Sequence, residues 1–238
     1  MPTSPPITLR AVVHLDQMQP QFAATSAANS DGYFPVAGES ALWLEVEPGI
    51  VVNRLLDVAL KACQVTPGAL ITERHYGTLE VHGEDQGQVL RARDVMLQEI
   101  GRTLDDQLAP RILTDEVIRQ ISDHHAMLIN RTRAGMLVLG GDTLYTLEVT
   151  PAVHVTLAAN EAEKAAPVRL VGLGADGAVG RLRLAGHPGP GGAGADRGHH
   201  LQRGGAHRPR GGRSVLATPR VARRRRRTGD EWPVRVRL

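Results

Sequence analysis

Charged and aromatic side chains are concentrated between two short apolar stretches, residues 69–72 and 78–81. We predict that these stretches pair as strands and that the segment between them forms the tip of a hairpin. Its residues are Glu73, Arg74, His75, Tyr76 and Gly77. Adjacent acidic and basic residues at a hairpin tip are most often ordinary solvated surface. If the protein forms a ring, however, the same tip recurs around the symmetry axis and lines a hole.

Three glycines, Gly172, Gly174 and Gly177, have the G-x-G-x-x-G spacing of a dinucleotide-binding loop. That chemistry requires a helix directly after the loop, because the helix N-terminus meets the pyrophosphate. Here the apolar residues Leu182 and Leu184 alternate as in a strand. We therefore interpret the segment as a glycine-rich turn.

No other pattern predicts catalysis, a cofactor or a metal. The pairs His124-His125 and His199-His200 lack the additional ligands that would complete a metal site. Cys63 lies on the apolar face of a predicted helix and is expected in the core. No Ser-His-Asp or paired-carboxylate pattern stands out, so the sequence argues against an enzyme.

The body of the chain repeats itself. Thirteen of the forty residues from 44 to 83 are identical to those 103 positions later, beginning with Leu44-Glu-Val and Leu147-Glu-Val. A match this long without a gap indicates a tandem duplication. At this offset Asp176 and Gly177 correspond to Glu73 and Arg74.

Each unit combines strands and helices. In the first, residues 41–46 predict a strand, residues 55–63 carry apolar side chains at helical spacing, and residues 88–100 predict a second helix. With the hairpin, this order predicts an α+β unit: an antiparallel-rich sheet with helices on one face.

Composition divides the chain of 238 residues unevenly. Residues 187–238 hold thirteen arginines and three acidic residues, a net charge of +10, whereas the rest carries −7. The tail is rich in Gly and Pro and has little to bury, so we expect disorder there. A single cysteine, the absence of a long apolar run and a start without signal-peptide features indicate a cytoplasmic protein.

The repeated unit resembles the bacterial microcompartment (BMC) shell domain, and the chain is similar to the tandem-domain, trimer-forming shell proteins of alpha-type carboxysomes. The resemblance covers residues 8–186. The residues that carry it are Ala41-Leu-Trp-Leu-Glu-Val-Glu-Pro-Gly49, Asp57-Val-Ala-Leu-Lys-Ala62, His14-Leu-Asp-Gln-Met-Gln-Pro-Gln21, Thr72-Glu-Arg-His-Tyr-Gly77, Leu128-Ile-Asn-Arg131, Ala158-Ala-Asn-Glu-Ala-Glu-Lys-Ala165 and Gly177-Ala-Val-Gly-Arg-Leu-Arg-Leu-Ala-Gly186.

The resemblance implies two circularly permuted BMC domains, residues 8–104 and 105–186, after a flexible start of residues 1–7. It implies a homotrimer shaped as a pseudohexameric tile, in a shell around ribulose bisphosphate carboxylase/oxygenase and carbonic anhydrase. Other shell proteins are then its partners, and two trimers can stack. In this family a Glu-Arg pair gates the central pore, and here that pair is Glu73 and Arg74. Three arginines on one axis would favour anionic metabolites.

One departure from the family follows Gly186, where the helix that should complete the second domain is replaced by the basic tail, as a frameshift would do. We expect that loss to leave a sheet face exposed. Two other functions stay open: a ring-forming small-molecule sensor of ferredoxin-like layout and, more weakly, nucleic-acid binding through the tail.

Overall fold

A computed structural model describes residues 6–187 of the chain. The strands are β1 (Thr8–Leu15), β2 (Ser40–Glu47), β3 (Thr66–Glu73), β4 (Tyr76–Gly83), β5 (Arg111–Ile118), β6 (Thr143–Thr150), β7 (Arg169–Gly174) and β8 (Gly180–Gly186). The helices are α1 (Pro20–Ala28), α2 (Val52–Ala62), α3 (Gln86–Glu99), α4 (Asp123–Arg131) and α5 (His154–Ala165). Short 3₁₀ turns span Gly49–Val51 and Leu104–Asp106.

The strands form two four-stranded antiparallel sheets with the same topology. Their orders are β1-β2-β4-β3 and β5-β6-β8-β7. The offset of 103 residues relates the starts of β1 and β5, α1 and α4, β2 and β6, and β3 and β7. The duplication therefore begins at β1, well before the segment in which sequence identity is dense.

The predicted elements of the first unit are present. The helix expected at residues 88–100 begins two residues earlier, because the Asp85 side chain accepts hydrogen bonds from the N–H groups of Gly87 and Gln88 and so caps the helix at that point. Cys63 directly follows α2 and is buried, as predicted. Gly172 and Gly174 lie in β7 and Gly177 lies in the loop before β8, so a strand and not a helix follows the glycine-rich segment, as predicted.

Two helices cover one face of the first sheet. Val52, Leu55 and Ala59 of α2 join Val89, Ala92 and Met96 of α3 in a core with the apolar residues of β2 and β4.

The opposite face of this sheet belongs to a larger core shared by both repeats. There Trp43 and Ala41 join a cluster that includes Phe22 of α1 and Val155, Ala158 and Ala162 of α5. Helices within a unit thus cover one face, and the other repeat helps to cover the second.

Predictions for the two ends of the chain can be compared with the structure only in part. Ile7 lies in the predicted flexible start, yet its carbonyl accepts two hydrogen bonds from Arg102. The structure describes one residue after β8, so the predicted loss of the final helix and the predicted disorder of the basic tail, with His199-His200, fall outside the described residues and stay predictions. Leu182 and Leu184 of β8 are buried among the residues of the shared core. The exposed sheet face that we expected at β8 is therefore not observed.

Candidate functional site

The predicted hairpin tip is a two-residue turn between β3 and β4. Glu73 pairs with Tyr76 at the end of the ladder, which leaves Arg74 and His75 as the turn. Arg74 has a φ of 54°, in the left-handed region that a non-glycine residue rarely adopts. The His75 and Tyr76 rings meet edge to face, with centroids 6.5 Å apart.

Glu73 and Arg74 form a loose, exposed ion pair. The distance from Arg74 Nε to Glu73 Oε1 is 3.5 Å, and the two side chains are 86% and 49% exposed for Arg74 and Glu73. A pair in such contact with water contributes little stability and exchanges partners readily. The ion pair therefore contributes little to holding either side chain in place.

The backbone beneath the tip is tightly packed. The Gly49 N–H donates to the His75 carbonyl at 2.8 Å. A Cβ on Gly77 would lie 2.2 Å from the Gly49 carbonyl oxygen. Only glycine permits this approach of the two chains, so the base of the hairpin is held while its tip projects.

The second hairpin has a longer loop. β7 ends at Gly174 and β8 begins at Gly180, so five residues separate the strands instead of two. Gly177, which corresponds to Arg74, has a φ of 77°. Asp176 takes the place of Glu73, and this tip carries no arginine.

The fold brings the two predicted tips together. A Cβ on Gly177 would lie 3.2 Å from Cγ of Glu73. The Thr78 hydroxyl donates to the Ala175 carbonyl at 3.3 Å. The hairpins of the two repeats are therefore neighbours within one chain, which is the arrangement that domains around a common axis require.

Two residues behind the first tip, Arg10 and Glu45, were not predicted from the sequence. Their buried side chains form an ion pair, and Glu45 Oε2 also accepts the N–H of Val153 at 3.1 Å. Burial raises the pKa of the Glu45 carboxyl, while the Arg10 and Val153 hydrogen bonds oppose that shift. The available signal was a charge inside each apolar strand, Arg10 in β1 and Glu45 in β2.

Comparison with known proteins places this geometry in a family. The model of the CsoS1D N-terminal domain matches residues 9–106. The chain is 45% identical over 180 residues to the carboxysome shell protein CcmP of Synechococcus elongatus, covering 76% of this chain and 84% of that protein. The chain belongs to the carboxysome shell protein family. The CsoS1D of Hydrogenovibrio crunogenus is also 45% identical, over 77% of this chain and 90% of that protein.

Solved structures agree with the membership in the shell protein family. The fused permuted hexameric shell protein MSM0275 of the RMM microcompartment is 42% identical, with a TM-score of 0.73 over 76% of this chain and 89% of that chain. The double-ringed trimeric shell protein MSM0271 is 40% identical, with a TM-score of 0.72 over 76% and 88%. The two sheets are thus tandem permuted BMC domains, as the resemblance implied.

The described residues were also searched for a metal site and for a membrane-spanning helix. Within residues 6–187 no cluster of three His, Cys, Asp or Glu side chains could hold a metal ion. No helix in that range is long and apolar enough to cross a bilayer. His124 and His125 lie at the start of α4, and His124 is exposed.

Proposed function

We propose that the protein is a structural component of a carboxysome shell and not an enzyme, with three chains closing into a tile of six domains. Relatives at 45% identity are named carboxysome shell proteins. Their names favour a shell tile over the sensor ring. The observation that best supports a trimer is the unequal burial of α2 and α5, which occupy corresponding positions in the two repeats.

Helix α5 packs on elements of both repeats, whereas α2 packs on the sheet and on α3 of its own repeat. α5 packs on its own sheet and also on β1 and α1 of the first repeat. It buries seven residues, against three in α2. Thr156 and Asn160 are fully buried, while their counterparts Asn53 and Asp57 are exposed. The outer side of α2 therefore lacks the neighbour that α5 has.

The contacts of α5 within the chain indicate which surface we expect that neighbour to present. Asn160 accepts the N–H of Gln19 at 2.8 Å, and its amide donates to the Gln17 carbonyl. The Glu163 carboxylate accepts the N–H groups of Gln21 and Phe22 at the start of α1. At the offset of 103, the matching surface of the second repeat is the start of α4. A rotation that stacks α4 of one chain on α2 of the next closes a ring.

Exposed apolar side chains on the second repeat fit this closure. Leu128 of α4 is 58% exposed, but its counterpart Thr25 is 1% exposed against the neighbouring repeat. Leu128 would therefore be buried by a second copy of the chain. Met127 is 52% exposed, and its counterpart Ala24 is exposed even with the neighbour in place. Met127 would stay in water.

These two residues provide a matched test. Leu128→Asp places a charge in the expected interface, where burying it without a partner costs several kcal/mol, and should yield monomers in light scattering at micromolar concentration. Met127→Asp introduces the same charge one residue away and should keep the assembly state of the wild-type protein. A monomeric wild-type chain, or equal behaviour of the two variants, contradicts the ring.

The proposed ring places the first hairpin of each chain around a central pore, gated by Glu73 and Arg74 with His75, Tyr76 and Gly77 beside them. The ion pair is loose and exposed, so two arrangements can differ by only a few kcal/mol. Three Arg74 side chains would attract anionic metabolites such as bicarbonate and sugar phosphates. Asp176 and Gly177 of the neighbouring hairpins supply no arginine and do less gating.

Crystal structures and carboxylation rates of shells containing each variant test the gate. Arg74→Ala should lower the passage of sugar phosphates, and Glu73→Ala should leave one pore state dominant. Arg91→Ala removes an exposed arginine on α3 and serves as the control. If Arg74→Ala and Arg91→Ala give the same pore and the same flux, Glu73 and Arg74 are ordinary surface charges.

We further propose that two rings stack through apolar loops that the closed ring leaves uncovered. Three exposed residues recur at the same positions of both repeats, between α1 and β2 and between α4 and β6. They are Tyr33, Phe34 and Val36 in the first and Met136, Leu137 and Leu139 in the second. The first set stays exposed although the second repeat packs on α1 beside it. We therefore expect the second set to stay exposed when another copy of the chain packs on α4. A double-ringed shell protein is 40% identical to this chain.

Sedimentation tests the stacking separately from ring formation. The wild-type protein should sediment as six chains, and the combined change Phe34→Ser with Leu137→Ser should give three. A wild-type mass of three chains contradicts stacking. A variant mass of six chains shows that the rings meet through another surface.

A further inference from the structure

Tyr76 lies directly behind the tip of the first hairpin, and its ring faces a buried arginine. The guanidinium carbon of Arg10 is 3.8 Å from the centroid of that ring. This is well inside the distance of about 6 Å at which a cation is attracted to an aromatic face. Arg10 is buried, so water screens the attraction little. The contact therefore restrains the residue with which β4 begins.

Arg10 is itself held from the other side. Its Nε donates to Glu45 Oε1. The second carboxylate oxygen accepts the N–H of Val153, which directly precedes α5 of the second repeat. A continuous set of contacts thus runs from the second repeat through Glu45 and Arg10 to Tyr76. Each member is more than thirty residues from the next along the chain.

We call the contacts of Glu45, Arg10 and Tyr76 the clamp. The second repeat lacks the clamp, although it retains one of the three residues. Leu113 and Val179 stand at the positions of Arg10 and Tyr76, while Glu148 matches Glu45. A leucine and a valine offer neither a cation nor an aromatic face. The clamp therefore accompanies the short hairpin with Glu73 and Arg74 and is absent behind the longer, arginine-free one.

We propose that Arg10 is a positioning residue for the first hairpin. It keeps the hairpin backbone in one place through Tyr76 and ties that place to the second repeat through Glu45. Movement at the tip is then confined to the side chains of Glu73 and Arg74. The inference rests on the proposed pore, but its main test does not require the pore to transport anything.

Hydrogen exchange of the intact chain tests the clamp, with Gly49 as the reporter. The Gly49 N–H is protected by its bond to the His75 carbonyl, so its exchange follows opening of the hairpin. Tyr76→Leu removes the ring, and exchange at Gly49 should be about two- to thirty-fold faster, the range expected for loss of a cation–π contact. Tyr76→Phe keeps the ring face and should exchange like wild type.

Two further variants separate the clamp from general loosening. Val179→Ala alters the corresponding residue of the second hairpin and should leave Gly49 unchanged. Arg10→Lys keeps the charge but loses the planar guanidinium, and should fall between wild type and Tyr76→Leu. The crystal structure of Tyr76→Leu should show the hairpin backbone in more than one position.

Three outcomes overturn the proposal. Tyr76→Leu could exchange at the wild-type rate, Tyr76→Phe could open as much as Tyr76→Leu, or the hairpin could keep a single position without the ring. Failure of the pore would be distinguishable, because normal metabolite flux in Arg74→Ala leaves the exchange result unaffected. The experiments can therefore reject the pore and support the clamp, or reject the clamp and support the pore.

Discussion

Arg74 and Gly177 occupy the same position of the two repeats and share a left-handed backbone, with φ angles of 54° and 77°. Glycine adopts this conformation without steric cost, whereas an L-residue with a Cβ pays about 1 to 2 kcal/mol for it. The first repeat therefore keeps a strained arginine where the second has the residue that the backbone prefers. Strain of this kind often marks a functional position.

The strain at Arg74 can be measured as stability. Arg74→Gly should have a free energy of unfolding about 0.5 to 1 kcal/mol higher than Arg74→Ala, because the glycine relieves the left-handed strain at some cost in unfolded-chain entropy. Urea denaturation of the two variants measures the difference. If Arg74→Gly is the less stable of the two, the turn is not strained.

The close approach beneath both hairpins predicts a second stability difference. A Cβ at Gly77 or Gly180 would lie 2.2 Å from a backbone carbonyl oxygen, that of Gly49 or Ala152. Either glycine changed to alanine should lower the free energy of unfolding by about 1 to 3 kcal/mol, because backbone must move. Gly172→Ala meets no atom within 4 Å and should stay within about 0.5 kcal/mol of wild type. Equal effects at all three positions would contradict the predicted crowding.

A buried histidine at the junction of the repeats predicts a dependence on pH. Burial lowers the pKa of His154 to about 4, although a hydrogen bond with the Leu108 backbone opposes the shift. The folded state thus binds a proton less readily than the unfolded state, whose His pKa is about 6.5. This contribution to stability is present above pH 6.5 and is lost as the pH falls toward 4.

His154→Val isolates that contribution, since Val51 holds the same position in the first repeat. Between pH 7 and pH 5 the wild-type protein should lose about 2 kcal/mol of unfolding free energy relative to the variant. Denaturation curves at the two pH values measure this difference directly. Parallel losses in both proteins would mean that folding does not lower the pKa of His154.

Local patterns in the sequence determined most of the repeated unit. Apolar spacing and the offset of 103 residues located β2, α2, β3, β4 and α3, as well as the correspondence of Asp176-Gly177 with Glu73-Arg74. These features depend on residues that are close together in the sequence, so they can be predicted without a tertiary structure. β1 was missed because Arg10 and His14 interrupt its apolar pattern.

Only the tertiary structure decided how the two units meet. The bond between Glu45 and Val153 joins residues 108 positions apart, and that between Thr78 and Ala175 joins residues 97 apart. Such pairs arise from packing one repeat on the other, and no local preference of either residue encodes them. The same packing buries α5 on both sides and leaves α2 open, although both helices descend from one sequence. The repeat therefore specified two similar domains, and their unequal surroundings determined which surfaces stay available to a second copy.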